Sequence, residues 1–381
     1  MALFAENVFY TAVLPLLPTY ADRFELSGTG AGLMIAAYSA GIIASSVPAT
    51  LLGRRLGFQR LAGIGLTLLG MSTVVFGLAT SVVVLDLMRG LQGVGAGFAW
   101  IGALGWIASL APAGRRGAVM GTALSVAIVG ATLGPVVGGI AGSTSVRAVF
   151  GLLGAAQITL GVVILASGAQ GLAAPVKEEQ GTPVAPVSMT WPVALLVLPS
   201  LLAGVYEVMT PLHLDTVGAG IGLISAVFVA SAVAEAVVAP LVGRLSDRSG
   251  RLGPLRVALL LAPVFCVALT ADLTIALLAI VAVLAWVTIG AAWVPGMALV
   301  GDLSEGDPLR ASRNWALVNV AISGGVAIGS IAGPAVAAAS GAAVPYLLLG
   351  AVCAAVATQL WRAPGWLSTG SADGLSGGEP T

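Results

Sequence analysis

The chain has 381 residues, of which 58% are hydrophobic and only 8% charged, and its mean hydropathy is +1.04. A water-soluble domain of this length carries far more polar surface, so a soluble enzyme or binding module is excluded and an all-α membrane protein is predicted. Lys and Arg number 16, Asp and Glu also 16, which leaves no overall positive field for nucleic acid, and no nucleic-acid partner is expected.

A spanning helix takes about 20 mostly apolar residues. In chain order such runs fall at 1–20, 30–52, 61–79, 82–110, 118–141, 148–168, 192–214, 219–243, 256–271, 273–302, 313–339 and 344–361. Two runs nearly merge around Asp272, so eleven spans is the alternative to twelve. The first run opens at Met1 without a basic leader and carries Glu6, which predicts a retained helix rather than a cleaved signal. If the helices alternate, Arg54, Arg55, Arg60, Arg115, Arg116, Lys177, Arg244, Arg248, Arg251, Arg256, Arg310, Arg313 and Arg362 fall on one side and only Arg23 and Arg147 on the other. Basic residues mark the cytoplasmic face, so both termini are expected there and the helix count is even, which favours twelve.

The stretch from Gly171 to Thr190 is polar and rich in Pro, Gly and small residues, as a flexible linker is. The expected organisation is an N-terminal six-helix bundle at 1–168, a cytoplasmic linker at 169–191, a C-terminal six-helix bundle at 192–361 and a disordered cytoplasmic tail at 362–381. Cys266 and Cys353 lie inside apolar runs with no second ligand nearby and are predicted to be small core residues, so no metal site is expected.

The two halves are weak copies of each other. Gly130-x-x-x-Gly134-Pro135 recurs 199 residues later as Gly329-x-x-x-Gly333-Pro334, and Arg55-Leu56-Gly57 recurs 193 residues later as Arg248-Ser249-Gly250. Glu6 is expected to correspond to Glu207, 201 residues on. Parallel six-helix repeats around a mid-membrane site are a transporter architecture.

The segment Gly243-Arg244-Leu245-Ser246-Asp247-Arg248-Ser249-Gly250-Arg251 resembles the loop signature of the major facilitator superfamily, found between the second and third helix of each half. Its physical content is a tight turn that glycine permits and opposite charges at helix ends that can form charge-assisted bonds. The first-half copy, Gly53-Arg54-Arg55-Leu56-Gly57-Phe58, has Arg54 where that family usually has Asp, so an acid-mediated latch is not expected there. Arg89-Gly90-Leu91-Gln92-Gly93 in the fourth span resembles the motif of proton-linked transporters. Gly130 to Gly139 in the fifth, with Gly130, Gly134, Pro135, Gly138 and Gly139, is similar to the motif of drug:proton antiporters. Small residues at every fourth position let helix backbones approach closely, and Pro135 removes one ladder hydrogen bond.

The opening, Ala2 to Thr11, is similar to the first helix of vesicular amine transporters and their bacterial drug-exporting relatives, whose membrane acids match Glu6 and Glu207. Where those proteins pair a second-helix Lys with an eleventh-helix Asp, this chain has Tyr38 and Asn319, and their tenth-helix Asp aligns near Gly290. The resemblance implies a major facilitator fold of twelve transmembrane helices in two pseudosymmetric six-helix bundles. It also implies proton-coupled export of a lipophilic or cationic small molecule, with no enzyme activity. The rivals are a nutrient uptake symporter or facilitator on the same fold and a transport-inactive, ligand-binding sensor.

An ionised carboxylate deep in the bilayer costs several kcal/mol, so Glu6, Glu207 and Glu235 each need a reason. A carboxyl group that holds a proton when no cation is present and surrenders it when one binds supplies the minimum chemistry of antiport. Glu6, Asn7 and Tyr10 share a helical face; with Tyr38, Arg89, Glu207 and Asn319 they are the expected substrate- and proton-binding residues. Arg89 keeps its charge and needs a partner, either Asp86 one turn earlier or, in one conformation, Glu6 or Glu207. The expected partners are thus a small-molecule substrate, protons and the lipid bilayer, with no cofactor beyond the proton. The protein is expected to be a monomer in a bacterial cytoplasmic (inner) membrane.

Overall fold

A computed structural model describes residues 1–111, 116–168, 190–302 and 308–361. The expected tail at 362–381 lies outside them, as does the expected linker apart from its last two residues. The described residues are helical, with short turns between helices: α1 (Ala2–Ala12), α2 (Leu17–Arg23), α3 (Gly28–Leu56), α4 (Phe58–Leu78), α5 (Val82–Leu110), α6 (Arg116–Ser143), α7 (Val146–Ala166), α8 (Thr190–Thr216), α9 (Ile221–Ser249), α10 (Leu252–Ala268), α11 (Ile275–Asp302), α12 (Pro308–Ser340) and α13 (Val344–Trp361). Away from their interior prolines, such helices satisfy their backbone groups within the segment, which lipid demands.

Eleven helical segments among the described residues are long and apolar enough to cross a membrane. The expected ninth span, 256–271, is the 17-residue α10, at the lower edge of spanning length. Around Asp272 the chain does break, with Ala271 to Thr274 outside any helix. The expected first span is not one unbroken helix. A 3-10 turn at Leu14–Leu16 separates α1 from α2, because Pro15 and Pro18 have no N–H to continue the ladder.

The described residues separate into two compact units, Met1–Glu179 with Glu207–Ala232, and Gln180–Tyr206 with Val233–Thr381. In the first, glycines set the helix spacing. A Cβ at Gly130 would lie 2.5 Å from the Phe4 carbonyl oxygen, one at Gly134 1.9 Å from Thr11 Oγ1, and one at Gly138 2.2 Å from the Ala12 carbonyl oxygen, so the fifth-span glycine motif is the groove that receives α1. A Cβ at Gly139 would meet Ser225 Oγ at 2.6 Å. The helix α6 stays continuous through Pro135. The carbonyl that proline deprives of its partner, that of Ala131, lies 2.9 Å from the Thr11 hydroxyl of α1, which shares its one hydrogen between Ala131 and the Asn7 carbonyl of its own helix at 3.0 Å. Gly93 lets α3 approach α5 in the same way, since a Cβ there would lie 2.0 Å from the Tyr38 carbonyl oxygen. Phe9, Phe76, Phe150 and Tyr20 fill the remaining core with edge and tilted ring contacts 5.2–6.3 Å between centroids.

The second unit repeats the device. Gly329 takes the Leu201 carbonyl oxygen of α8 at 2.2 Å from its notional Cβ, and Gly333 takes Val205. This seam pairs Leu201 with Gly329 as Phe4 pairs with Gly130, a chain offset of 197 residues for the α1 and α8 strands of the repeat. By that register Tyr10 corresponds to Glu207 and Glu6 to Ala203. The expected equivalence of Glu6 with Glu207 is one helical turn out; residues four apart share a face, which is why sequence spacing alone accepted it. Cys266 and Cys353 are buried and free.

Both copies of the loop signature turn on a left-handed glycine, Gly57 with φ +89° and Gly250 with φ +84°. Gly243 lies inside α9, so it makes no turn. The signature is the last part of that helix and only Gly250 breaks it.

Candidate functional site

In the first unit the predicted residues of α1, α3 and α5 and Glu207 of α8 form one buried cluster. Glu6 is 4% exposed and Glu207 2%. Three neutral groups donate to Glu6: the Tyr38 hydroxyl to Oε1, the Trp100 indole N–H to Oε2 at 2.6 Å and the Asn7 amide to Oε2 at 2.7 Å. The Tyr10 hydroxyl lies 2.8 and 2.9 Å from the two oxygens of Glu207 and donates to that carboxyl group. The Tyr10 and Tyr38 rings are 5.0 Å apart, which joins the two carboxyl groups through a pair of phenols.

Arg89 is fully buried, yet among the described residues it pairs with neither Glu6 nor Glu207 nor Asp86. Its guanidinium lies 4.6 Å over the Tyr38 ring and 5.6 Å from that of Phe9. Its Nε donates to the Met34 carbonyl at 3.3 Å and Nη1 to Gln92 at 3.4 Å, while Nη2 has no partner. A cation facing an aromatic ring is attracted by the ring quadrupole, more strongly where water is absent. Arg89 therefore packs on the ring whose hydroxyl donates to the Glu6 carboxyl.

The chemistry of this arrangement follows from the donor types. Asn7 and Trp100 both fill Oε2 of Glu6, so a carboxylic proton belongs on Oε1, against Tyr38. A phenol can donate to a carboxylate or accept from a carboxylic acid. Each Glu–Tyr pair can thus be satisfied with or without the proton, which a fixed Lys–Glu ion pair could not be. Trp100 was not among the predicted site residues. Its signal was present in the spacing of Arg89, Gln92, Ala96 and Trp100, all on one face of α5.

Asn319, the other predicted site residue, lies half-buried on α12 in the second unit. That unit holds the third membrane carboxyl group: Trp286 donates its indole N–H to Glu235 Oε2 at 2.6 Å. The signature charges lie at the end of α9. Arg251 pairs with Asp247 one turn earlier and, through Nε and Nη2 at 2.7 and 3.1 Å, grips both oxygens of Asp302 at the end of α11. These bonds, to Asp302 first and Asp247 second, raise the Arg251 guanidinium above its ordinary range. Sequence reasoning missed Asp302, which is 51 residues from Arg251. Arg248 is exposed. The first-half Arg54 is also exposed and makes no ion pair among the described residues.

Apolar helices of membrane length that bury carboxyl groups among phenols, indoles and amides define a polytopic membrane protein. The family model of the Major Facilitator Superfamily matches residues 1–217 and again 197–372, so the chain belongs to the major facilitator superfamily. It is 30% identical to the MFS-type transporter ppzB of Metarhizium rileyi over 174 residues, 43% of this chain and 36% of that protein. It is also 30% identical to the quinolone resistance protein NorA of Staphylococcus aureus over 156 residues, 40% of each chain. The chain thus spans well under half the length of these curated relatives. Solved structures agree on the fold. A bacterial homolog of the human lysosomal transporter Spinster superposes with TM-score 0.78 at 15% identity, over 96% of both chains. A D-xylose–proton symporter superposes with TM-score 0.75 at 17% identity, over 97% of this chain and 98% of its own.

Proposed function

We propose that this transporter exports lipophilic or cationic small molecules in exchange for protons, by alternating access of two six-helix bundles, 1–168 and 192–361, joined by a cytoplasmic linker. In this reading it works as a monomer in a bacterial cytoplasmic membrane with both termini inside. The observation that carries the reading is the pair of buried glutamates, Glu6 and Glu207, held by neutral donors alone. A buried carboxylate with no ion-pair partner in contact and only the Arg89 charge of the same cluster nearby is costly, and a proton or an organic cation removes that cost. The two are therefore competitors for the same groups, and competition between substrate and proton is what obligate exchange requires. The drug-resistance function in the name of the Staphylococcus aureus relative supports export over uptake.

The test is efflux of a panel of cationic and neutral dyes from membrane vesicles under an imposed pH gradient, comparing the parent with Glu6→Gln and Glu207→Gln. The expected outcome is dye movement against its own gradient only while protons run the other way, abolished by either substitution. Unchanged, gradient-driven efflux in the double variant refutes the assignment of the two carboxyl groups. Proton-driven accumulation in the opposite direction replaces export with uptake.

A further inference from the structure

The first unit carries a charged surface that the scheme above leaves unused. Between Glu25 and Asp86 the only charged residues are Arg54, Arg55 and Arg60, with no acid among them. Arg54 and Arg55 lie in the last turn of α3 and Arg60 in the first turn of α4, on either side of Gly57. All three are exposed, and among the described residues none makes a hydrogen bond or an ion pair.

The second copy of this turn shows what the first lacks. At the 193-residue offset that relates Arg55 to Arg248, Arg54 corresponds to Asp247 and Phe58 to Arg251. In the second copy those two residues form an ion pair that extends to Asp302. In the first, an arginine stands in place of the acid and a phenyl ring in place of the arginine. Phe58 turns inward: a Cβ at Gly53 would lie 2.7 Å from its ring and one at Gly105 2.5 Å, so the ring is wedged between α3 and α5. Gln59 is buried as well, and its amide donates to the Ile164 carbonyl at 3.2 Å and to the Ser167 hydroxyl at 3.0 Å. The turn is thus pinned from inside, and its three guanidinium groups are presented outward with no protein acid to meet them.

The depth of the turn decides what can meet them. A helix of 29 residues such as α3 is about 44 Å long, against about 30 Å of hydrocarbon, and α4 begins a second apolar span directly after Gly57. The arginines therefore lie at headgroup depth. Val47 and Leu51, 68% and 56% exposed, precede Arg54 and Arg55 at helical spacing, so an apolar stripe on α3 runs up to the charges. A phosphate beside an acyl chain matches both parts of this surface. Arginine suits the phosphate, because its planar fork binds two oxygens at once, and a soluble anion would gain nothing from the stripe.

We propose that the turn between α3 and α4 binds an anionic phospholipid, with its phosphate held by Arg54, Arg55 and Arg60 and an acyl chain along Val47 and Leu51. The lipid supplies the counter-charge that Asp247 and Asp302 supply to Arg251 in the second unit. The inference goes beyond the export reading and depends neither on the direction of transport nor on Glu6 and Glu207.

The test is native mass spectrometry of the purified full chain in a neutral detergent, titrated with dioleoylphosphatidylglycerol or with dioleoylphosphatidylcholine, which has the same chains and no net charge. The parent is expected to bind the phosphatidylglycerol more tightly. Arg54→Gln, Arg55→Gln and Arg60→Gln should each weaken it about fivefold, the contribution of one arginine near an anionic lipid surface, and Arg54→Asp, which restores the acid of the second copy, about 25-fold. None of the four should alter phosphatidylcholine binding. These side chains are exposed and unbonded, so the variants are expected to fold as the parent does. Arg147→Gln removes an equally exposed arginine at the start of α7 and should change nothing. Equal affinity of the parent for the two lipids overturns the site, as does a loss in Arg147→Gln as large as in Arg54→Gln. Displacement of the phosphatidylglycerol by an equal concentration of inorganic phosphate or soluble glycerophosphoglycerol would mean a phosphate site without an acyl track, and overturns the lipid assignment.

Discussion

Thr11 and Pro135 make a sharp test of how the first unit is held together. Proline removes the N–H that would bond the Ala131 carbonyl, and the Thr11 hydroxyl, shared with the Asn7 carbonyl, takes its place from the neighbouring helix at 2.9 Å. Thr11→Val keeps the shape and removes the donor. A buried acceptor left without a partner costs about 1–3 kcal/mol in soluble proteins, but interhelical hydrogen bonds in membranes average nearer ~0.6 kcal/mol. The expected loss is therefore about 1 kcal/mol. In a Pro135→Ala background the backbone N–H at 135 can bond Ala131 again, so the same Thr11→Val change should cost almost nothing. Unfolding of the parent, both single variants and the double variant in mixed micelles gives the coupling energy directly. If Thr11→Val costs the same in both backgrounds, the hydroxyl is not replacing the proline's lost bond and the account of this seam fails.

Three further outcomes follow from the same contacts. Gly134→Ala places a methyl group 1.9 Å from Thr11 Oγ1 and 2.5 Å from the Val8 carbonyl oxygen, so folded yield should collapse, whereas Gly121→Ala, with nothing within 4 Å, should be neutral or mildly stabilising; equal yields would mean α1 does not lie in that groove. Tyr38→Phe keeps the ring under Arg89 but deletes the donor to Glu6; it should lower stability by about 1–2 kcal/mol and slow proton-driven efflux, and a variant matching the parent in both would show that the phenol is idle. Asp302→Ala removes the two-point grip on Arg251. Because these side chains are 20% and 31% exposed, the expected cost is only about 0.5 kcal/mol after screening, and thermal unfolding with and without about 0.5 M salt should show it shrinking in salt.

The sequence by itself determined the class of molecule and the family. Apolar runs of membrane length and glycines at every fourth position are one-dimensional signals, because each reports what lipid or a close-packed neighbour demands of a single helix. Most of the candidate residues were legible for the same reason: a charge in an apolar run is conspicuous without any fold. Partnership was not. Whether Arg89 would meet Asp86, Glu6 or Glu207 is a question of where three helices bring their faces, and the answer, an aromatic ring, belongs to none of the charged candidates. The tertiary structure also decided the register of the repeat, which sequence spacing left ambiguous by one turn because a helix shows nearly the same face every four residues. It alone revealed Trp100 as a donor to Glu6, Asp302 as the partner of Arg251 and Gly290 as the notch that receives Glu235. Each of these joins residues 51–94 positions apart, with signals that are ordinary until another helix is laid against them.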